Sequence, residues 1–267
     1  MKTKIKKLFL IIIVTIMNFN YTYSQNANLN RTKHWYFGNH AGLDFNNGSP
    51  VADTNGQMNV WKGSAVVSDT NGNLLFYSDG IGVWNRNHQF MPHGQNIVNL
   101  SITPAEPTQV LAVQLPGSPN IYYIFNDEIV QNWDYNLVYA IVDMSQDSGR
   151  GDIISSQNFV LNHPTEKVTA VRHSNNVDMW IITSKHNTNS FYVFRLSASG
   201  LDGVPLISSI GLSSGGDDGY LKSSLDENKL ASANTGEGFE LLDFDKNTGI
   251  VSNPIIIFSC NNILCVG

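Results

Sequence analysis

The sequence has few cysteines and a shortage of basic residues, and each shortage excludes a class of protein. Of its 267 residues only Cys260 and Cys265 are cysteines, and both lie in the last eight positions. Two thiols without a neighbouring histidine do not make a zinc site. An exported protein could oxidise them to a disulfide, but a chain of this length does not need one. We therefore expect neither a metal nor another cofactor.

Long apolar runs are also missing, apart from one at the N-terminus. It spans residues 8–17, follows a segment with four lysines and precedes a polar segment. This order is typical of a secretory signal peptide, and the run is shorter than the roughly 18 residues that a membrane span needs. We predict a signal peptide over residues 1–24, cleaved between Ser24 and Gln25, with an uncleaved anchor as the alternative. The mature chain, residues 25–267, is expected to be exported without membrane insertion.

Cleavage would make the shortage of basic residues more pronounced. Residues 1–24 hold four of the 16 basic residues and none of the 22 acidic ones, so 12 basic residues remain and the net charge falls from -6 to about -10. Such a surface repels phosphate backbones, and no polybasic segment remains to hold an anionic membrane. Nucleic acid and membranes are therefore excluded as expected partners.

What the sequence does contain is a regular series of short apolar runs. They are four to seven residues long, rich in Val, Ile, Phe, Tyr and Trp, and separated by Gly, Asn, Asp, Ser and Pro. No segment after the N-terminal run keeps a 3.6-residue period for three turns, so the chain is predicted to be all-β. Strand–turn–strand units recur roughly every 50 residues, at 64–77, 110–125, 168–182 and 220–231.

Each unit is followed by a second, more amphipathic pair of strands. The first such pair is predicted at 81–84 and 97–102. Four antiparallel strands in about 50 residues are expected of a β-propeller blade, whereas a β-sandwich has no such period. We therefore predict a β-propeller of four-stranded antiparallel blades.

The N-terminal part of the mature chain resembles half a blade. Residues 34–37 and 41–45, followed by a turn at 48–50, look like an outer strand pair without its inner hairpin. The count is then about four and a half blades in one domain, residues 25–267. Propellers close their ring so that no sheet edge stays open, and about four and a half blades do not complete such a ring. We therefore expect the ring to be incomplete and the chain to be truncated at its C-terminus.

Several stretches together resemble a known family. They read HWYFGNHAGLDFNNGSPV, DTNGNLLFYSDGIGVWNRNHQFMPHG, TEKVTAVRH, MWIIT and FDKNTGIVSNP. The set is similar to the N-terminal propeller of large secreted Bacteroidetes surface proteins, which often continue into immunoglobulin-like repeats and a gliding-motility or type IX secretion sorting domain. The similarity runs from about residue 33 to 258.

The resemblance implies an extracellular or cell-surface location and a propeller of the seven-bladed, YVTN/WD40-like superfamily. Members of the family mostly have no assigned activity. The chain departs from the family pattern in two places. Residues 224–230 replace the usual Ser-Pro-Asp-Gly-x-Lys-Leu turn, and the tail at 259–267 lacks the usual aromatic-Gly-Val-Glu-Phe strand.

Three carboxylates form the best candidate catalytic cluster. Asp127, Glu128 and Asp134 surround Trp133. Carboxylates beside an aromatic ring could act as acid and base in a sugar site, and the alternative is a solvated loop. No Gly-x-Ser-x-Gly elbow is present to suggest a serine nucleophile.

Two further motifs could bind a cation. Asp217 and Asp218 lie in the run GGDDG, where paired carboxylates and bare backbone suit a hard ion; the alternative is a flexible loop between blades. The run SDTNGN places Asp69, Asn71 and Asn73 at alternate positions, but its later residues do not fit a calcium loop. We predict a hairpin there instead, with Asn71 and Gly72 as the positive-φ pair of a type I′ turn.

These observations favour a secreted or cell-surface binding module without catalytic activity, with adhesion or gliding-associated structures as its expected setting. Its expected partner is an extracellular glycan or protein. One alternative is a propeller-type glycosidase or lyase that uses the carboxylate cluster. The other is a truncated remnant without function of its own.

Overall fold

The computed structural model describes residues 30–99, 109–130, 134–216 and 218–259. The predicted signal peptide with its cleavage site at Ser24 and Gln25 lies outside these residues. So do Trp133, Asp217 and both cysteines.

The described residues form 19 strands in five antiparallel sheets, numbered I to V in chain order. Sheet I contains β1 (His34–Phe37), β2 (Ala41–Asp44) and β3 (Val51–Ala52). Sheet II contains β4 (Ala65–Ser68), β5 (Leu74–Ser78) and β6 (Val83–Asn85). Sheet III contains β7 (Leu111–Gln114), β8 (Ile121–Ile129), β9 (Tyr135–Asp143) and β10 (Asp152–Asn162). Sheet IV contains β11 (Pro164–Arg172), β12 (Met179–Lys185), β13 (Ser190–Ser197), β14 (Gly200–Leu201) and β15 (Leu206–Ser209). Sheet V contains β16 (Gly219–Ser223), β17 (Lys229–Asn234), β18 (Gly238–Phe244) and β19 (Val251–Ser259).

Within each sheet, strands that follow one another in sequence pair with one another, except for β14 and β15 of sheet IV. The four predicted hairpins are all present, as β4–β5, β7–β8, β11–β12 and β16–β17. In sheet IV both short strands β14 and β15 pair with β13, at its two ends. The only helical element among the described residues that separates two strands is a short 3₁₀ turn, Asp147–Gly149. The chain is therefore all-β, as its apolar pattern predicts.

The sheets stack in chain order, with an apolar layer between each pair of neighbours. Tyr36 of sheet I packs with Tyr77 of sheet II, and Phe76 of sheet II packs with Ile124 of sheet III. Phe125 lies in the layer between sheets III and IV, and further layers continue from sheet IV to sheet V. Each fully buried side chain of this size contributes about 1.5–3 kcal/mol. This face-to-face series is an incomplete, propeller-like arrangement.

The last sheet keeps one apolar face open. Tyr220, Ala233, Phe239 and Phe258 lie directly opposite one another across its four strands, and the three aromatic residues of this row are 44–55% exposed. The neighbouring row contains Leu221, which is buried against sheet IV. An open face is what an incomplete ring leaves at its last blade.

Two sequence predictions about strands need correction. Residues 97–99 are not a strand, although Ile97 and Val98 are buried. They lie in an irregular segment that follows Asn96, whose φ is +56°. The Ile97 N–H donates to the Ile81 carbonyl at 2.9 Å and so holds this segment against the β5–β6 connection of sheet II. The rest of that predicted strand lies outside the described residues. Sheet I has a third strand, β3, beyond the predicted pair.

The turn prediction at SDTNGN is also wrong in type. Only Gly72 has positive φ, at +92°, and its N–H bonds the Asp69 carbonyl at 3.1 Å. The Asp69 carboxylate accepts hydrogen bonds from the N–H groups of Asn71 and Asn73 at 2.8 and 2.9 Å. This side chain closes the turn, so Asn71 does not need the left-handed conformation, and a register shift in the hairpin absorbs the extra residue.

Candidate functional site

Buried polar side chains concentrate at one end of the sheets. We call this the upper end, and define it as the end at which the first strand of each of sheets II to V begins. Because neighbouring strands run antiparallel, it also carries the connections between the second and third strands. The buried polar residues there include Ser78, Gln109, Asn126, Asp127, Glu128, Thr165, Glu166, Lys167, Ser184, Ser214, Asn234 and Glu240.

Three charged residues from separate parts of the chain meet at the upper end. The Lys62 ammonium lies 3.1 Å from the Glu166 carboxylate and 3.2 Å from that of Asp218. Lys62 precedes sheet II, Glu166 lies at the start of β11 in sheet IV, and Asp218 precedes β16 in sheet V. We call these three residues the ion triad. It brings the starts of three sheets together.

Burial differs sharply among the members of the ion triad. The Glu166 side chain is only 5% exposed, whereas those of Lys62 and Asp218 are 41% and 59% exposed. Burial opposes the charge on Lys62, but the nearby Glu166 and Asp218 carboxylates outweigh it and raise the pKa of Lys62. Counted formally, one ammonium and two carboxylates give the triad one net negative charge, and it faces solvent on its Lys62–Asp218 side.

The segment before β4 explains why Lys62 reaches this place. Met58 and Val60 are buried, and backbone bonds from the His40 N–H to the Met58 carbonyl (2.8 Å) and from the Val60 N–H to the Gly38 carbonyl (3.0 Å) fix the segment to sheet I. The next side chain, Trp61, then points outward and is 90% exposed. An anchored segment thus presents an indole ring immediately before the ion triad.

Asp218 is positioned by the glycine that follows it. Gly219 has φ +146°, and a Cβ atom there would lie 2.1 Å from the Ala233 carbonyl oxygen of the paired strand. Only glycine permits this close approach of β16 to β17. The backbone at the start of sheet V therefore depends on a residue without a side chain.

A second polar layer lies beneath the ion triad. Lys167 is 1% exposed, and its ammonium donates hydrogen bonds to the Asn234 side-chain oxygen and to the Ser214 hydroxyl. Glu240, also 1% exposed, accepts a bond from the Leu212 N–H at 2.9 Å. Burial raises the pKa of Glu240, although the Leu212 bond and nearby Lys167 act in the opposite direction. This layer joins sheets IV and V.

The predicted catalytic carboxylates lie at the upper end but do not form a pair. Ile124 faces sheet II and Phe125 faces sheet IV, so strand alternation places Glu128 on the first side and Asp127 on the second. Glu128 accepts a bond from the Asn99 N–H at 3.0 Å, and burial raises its pKa. Because the two side chains face different sheets, they do not flank a common substrate position.

Asp134 has partners of its own. It follows the β8–β9 connection, where its carboxylate lies 2.7 Å from the His163 ring and accepts a bond from the Tyr135 N–H. Trp133, the aromatic residue of the predicted cluster, is outside the described residues. The structure thus shows a local contact at Asp134.

The candidate cation residues have a different neighbour from the one expected. Asp218 accepts a hydrogen bond from the Lys62 ammonium, and Asp217 is not among the described residues. Within the described part of the chain, no group of three or more His, Cys, Asp or Glu side chains could hold a metal ion. None of the helices described is long and apolar enough to cross a membrane.

Sequence reasoning missed Trp61, Lys62 and Glu166. The partners of Lys62 lie 104 and 156 residues away, so no short motif contains them. A weaker signal was present: the adjacent charges Glu166 and Lys167 open an apolar strand, and Trp61 with Lys62 stands just before another. Charged residues are seldom buried unless they are paired, so their presence next to buried strands is a signal of a partner.

Comparison with known proteins adds little. No protein-family model matches the chain, and no curated protein matches it. Among solved structures it is similar to an exo-β-1,3-galactanase from Phanerochaete chrysosporium, solved with β-1,3-galactotriose, at 10% identity and a TM-score of 0.39. The match covers 84% of this chain and 49% of that one, so the chain spans about half the length of the galactanase. A likeness this distant carries no argument about activity.

Proposed function

We propose that this chain is an exported binding module without catalytic activity, which holds a neutral glycan at its upper end. The observation that carries the proposal is the 90% exposed indole of Trp61 beside the ion triad. Tryptophan is among the residue types that contribute most to binding contacts, and this indole is open to solvent next to charged groups.

The chemistry of the Trp61 indole and of the ion triad matches that of a sugar ring. A pyranose has an apolar C–H face, which packs against an aromatic ring, and an edge of hydroxyl groups, which both donate and accept hydrogen bonds. Trp61 supplies the aromatic face. Lys62 supplies donors and Asp218 supplies acceptors on the solvent side of the triad.

Charge selects against anionic ligands. The triad carries one net negative charge, and the whole chain has a formal net charge of -6. Acidic glycans and phosphates would therefore be repelled. A neutral glycan is not repelled by this negative charge. A peptide would be attracted by it only through a basic segment.

The arrangement of charges favours binding over turnover. A glycosidase needs two carboxyl groups on either side of one bond, one of which must donate a proton. Glu166 is instead buried against the Lys62 ammonium, and Asp127 and Glu128 face different sheets. The carboxylates therefore act in charge balance and hydrogen bonding.

The exported location is part of the proposal. The apolar run at residues 8–17 and the resemblance to secreted surface propellers support it. A glycan-binding propeller on a cell surface would serve in adhesion or in gliding-associated structures.

Residues 25–267 on a glycan array, together with a peptide and protein array, test the proposal. We expect binding to neutral glycans, weakened at least about tenfold in Trp61→Ala, which corresponds to about 1.4 kcal/mol. Because Trp61 is so exposed, its removal should change stability by less than about 0.5 kcal/mol. Trp35→Ala, which removes a half-exposed tryptophan from β1, is the matched control and should bind normally.

Two results would overturn the proposal. One is glycan binding that is equal in Trp61→Ala and in the unchanged protein. The other is hydrolysis or elimination of a bound polysaccharide, which would make the chain an enzyme.

A further inference from the structure

Sheet II contains a small recess that the upper-end site does not use. Its volume is about 190 Å³, and its walls include Trp84, Phe90, Asp79, Gln95 and Asn96. Trp84 lies on β6, and the chain after β6 turns back to place Phe90 beside it, with the two rings stacked at 4.7 Å between centroids. We call this recess the Phe90 pocket. Two aromatic rings and three polar side chains thus face one small space.

Buried aromatic rings support the Trp84 and Phe90 wall of the pocket. Tyr36, Tyr77 and Trp84 continue the stack behind Phe90, with centroid distances of 4.7 Å for the first pair and 5.4 Å for the second. Tyr36 and Tyr77 are almost completely buried, whereas Phe90 is 43% exposed. The Gln57 N–H donates to the Tyr77 hydroxyl at 3.0 Å. The stack therefore begins in the core and ends at the surface, with its last ring available to a ligand.

The opposite wall is fixed by backbone bonds. One Asp79 carboxylate oxygen accepts bonds from the N–H groups of Ile81 and Gly82, at 2.9 and 2.7 Å. A Cβ atom at Gly82 would lie 2.8 Å from Phe90 and 2.9 Å from Trp84. The absence of a side chain at this position lets the two rings approach the turn. The pocket is therefore formed before any ligand enters it.

The composition of the pocket limits its ligand. The aromatic rings offer an apolar face, and one carboxylate and two amides offer hydrogen-bond partners. No basic side chain is among the residues that line it, so an anionic ligand gains nothing there. Its volume lies below the roughly 300–1,000 Å³ of pockets that hold drug-sized molecules.

We propose that the Phe90 pocket is a separate binding site for one neutral sugar ring, which stacks on Phe90 and bonds with Asp79, Gln95 and Asn96. The site uses none of the residues of the ion triad. It therefore does not depend on the function proposed for the upper end, and it would give the module a second contact with a branched or multivalent glycan.

Backbone NMR with simple glycosides tests this proposal. Methyl glycosides of glucose, galactose and mannose are titrated into residues 25–267, with methyl glucuronide as the anionic comparison. We expect at least one neutral glycoside to shift the Gly82 and Asn96 signals saturably, and the glucuronide to leave them unchanged. Phe90→Ala should weaken that binding at least about tenfold.

Two control variants separate the possible outcomes. Phe159→Ala removes another exposed phenylalanine, on β10, and should leave the titration unchanged. Trp61→Ala should also leave it unchanged, even if the upper-end site is lost, so each proposal can fail without the other. Because Phe90 packs on Trp84, the melting temperature and the undisturbed signals of sheet IV must show that Phe90→Ala remains folded.

Three results would overturn the proposal. They are no saturable shift with any neutral glycoside, equal affinity in folded Phe90→Ala, and equal binding of the glucuronide. Gly82→Ala gives a fourth test, because its Cβ would push the Phe90 and Trp84 rings out of place, and equal binding by this variant would also show that the pocket is not the site.

Discussion

The Asx turns at the lower end of the sheets and the ion triad at the upper end satisfy their polar groups in opposite ways. At the lower end, Asp69 bonds to the backbone two and four residues later, and Asn175 bonds to the backbone of Val177 and Asp178. At the upper end, Lys62 reaches partners 104 and 156 residues away. These lower-end turns therefore close within themselves, whereas the ion triad forms only after separate sheets have stacked.

This difference assigns the two ends different roles. Asx-type turns fold locally, so their own bonds define each hairpin. Other lower-end bonds link neighbouring sheets, such as the one from the Ser174 N–H to the Lys246 carbonyl at 3.1 Å. The buried charges of the upper end are costly unless all partners are present. A region that retains such groups is a candidate for function, and here it also carries the most exposed tryptophan among the described residues.

Two glycines should show the largest contrast between the ends. In Gly219→Ala the new Cβ would meet the Ala233 backbone oxygen at 2.1 Å, which cannot move aside without breaking the β16–β17 pairing. We expect a loss of roughly 3 kcal/mol or more in the free energy of unfolding. In Gly72→Ala the near neighbour is the Asn46 side-chain oxygen at 2.6 Å, which can rotate, so we expect about 1–2 kcal/mol from the positive φ alone.

Urea denaturation of both variants measures this contrast. Equal losses would mean that the start of β16 is no more constrained than a lower-end turn.

Two lysines with similar exposure provide the next contrast. Lys62→Met leaves Glu166 buried without its nearest cation, and we expect a loss of about 2 kcal/mol, below the roughly 3–5 kcal/mol of fully buried pairs because Lys62 is 41% exposed. Lys229→Met removes a lysine whose side chain is 43% exposed, but its partner Asp243 is 36% exposed and can be solvated instead. Its effect on the urea midpoint should be clearly smaller. A larger effect of Lys229→Met would contradict the importance given to the ion triad.

The pH dependence of stability gives a smaller contrast, with opposite signs. Burial raises the pKa of Glu240 above its usual 4.5, so the folded state holds this proton more tightly than the unfolded state does. The contribution of Glu240 to the free energy of unfolding is present below pH 4.5 and is lost as pH rises through the folded-state pKa. Glu240→Gln cannot ionise, and it should flatten the decline in stability on that side.

Asp178 at the lower end behaves in the opposite way. The hydrogen bond from Arg195 lowers the pKa of Asp178 below its usual 3.8, so its contribution is present above pH 3.8 and is lost as pH falls. Asp178→Asn should reduce stability at neutral pH and flatten only the acid side. Melting temperatures measured from pH 3 to 8 compare the two variants. The same pH profile in both would show that the two carboxyl groups do not differ as described.

The strands were largely predictable because each is encoded locally. Alternating apolar residues and intervening turn residues predict all four inner hairpins, and the structure confirms them. The errors occur where individual side chains produce a local structure that differs from the one the sequence pattern predicts. Asp69 closes its turn and spares Asn71 the positive φ, and Ile97 is buried although its segment is irregular.

The site was not predictable by the same means. Lys62, Glu166 and Asp218 become neighbours only when sheets II, IV and V stack, and nothing in a sequence window records that contact. Asp127 and Glu128 show a further limit, because residues adjacent in a strand point to opposite faces. Their catalytic role stays a prediction, but proximity in sequence did not indicate that they face different sheets.

Hydrogen–deuterium exchange with a bound glycan tests the central claim most directly, because it compares both ends of the sheets in one measurement. With the best array ligand at saturation, we expect slower exchange in residues 56–63 and 210–216 at the upper end, and unchanged exchange in the lower-end turns at 69–73 and 173–178. The Trp61→Ala variant should lose this protection. Protection confined to the lower-end turns, or present to the same extent in Trp61→Ala, would contradict the account.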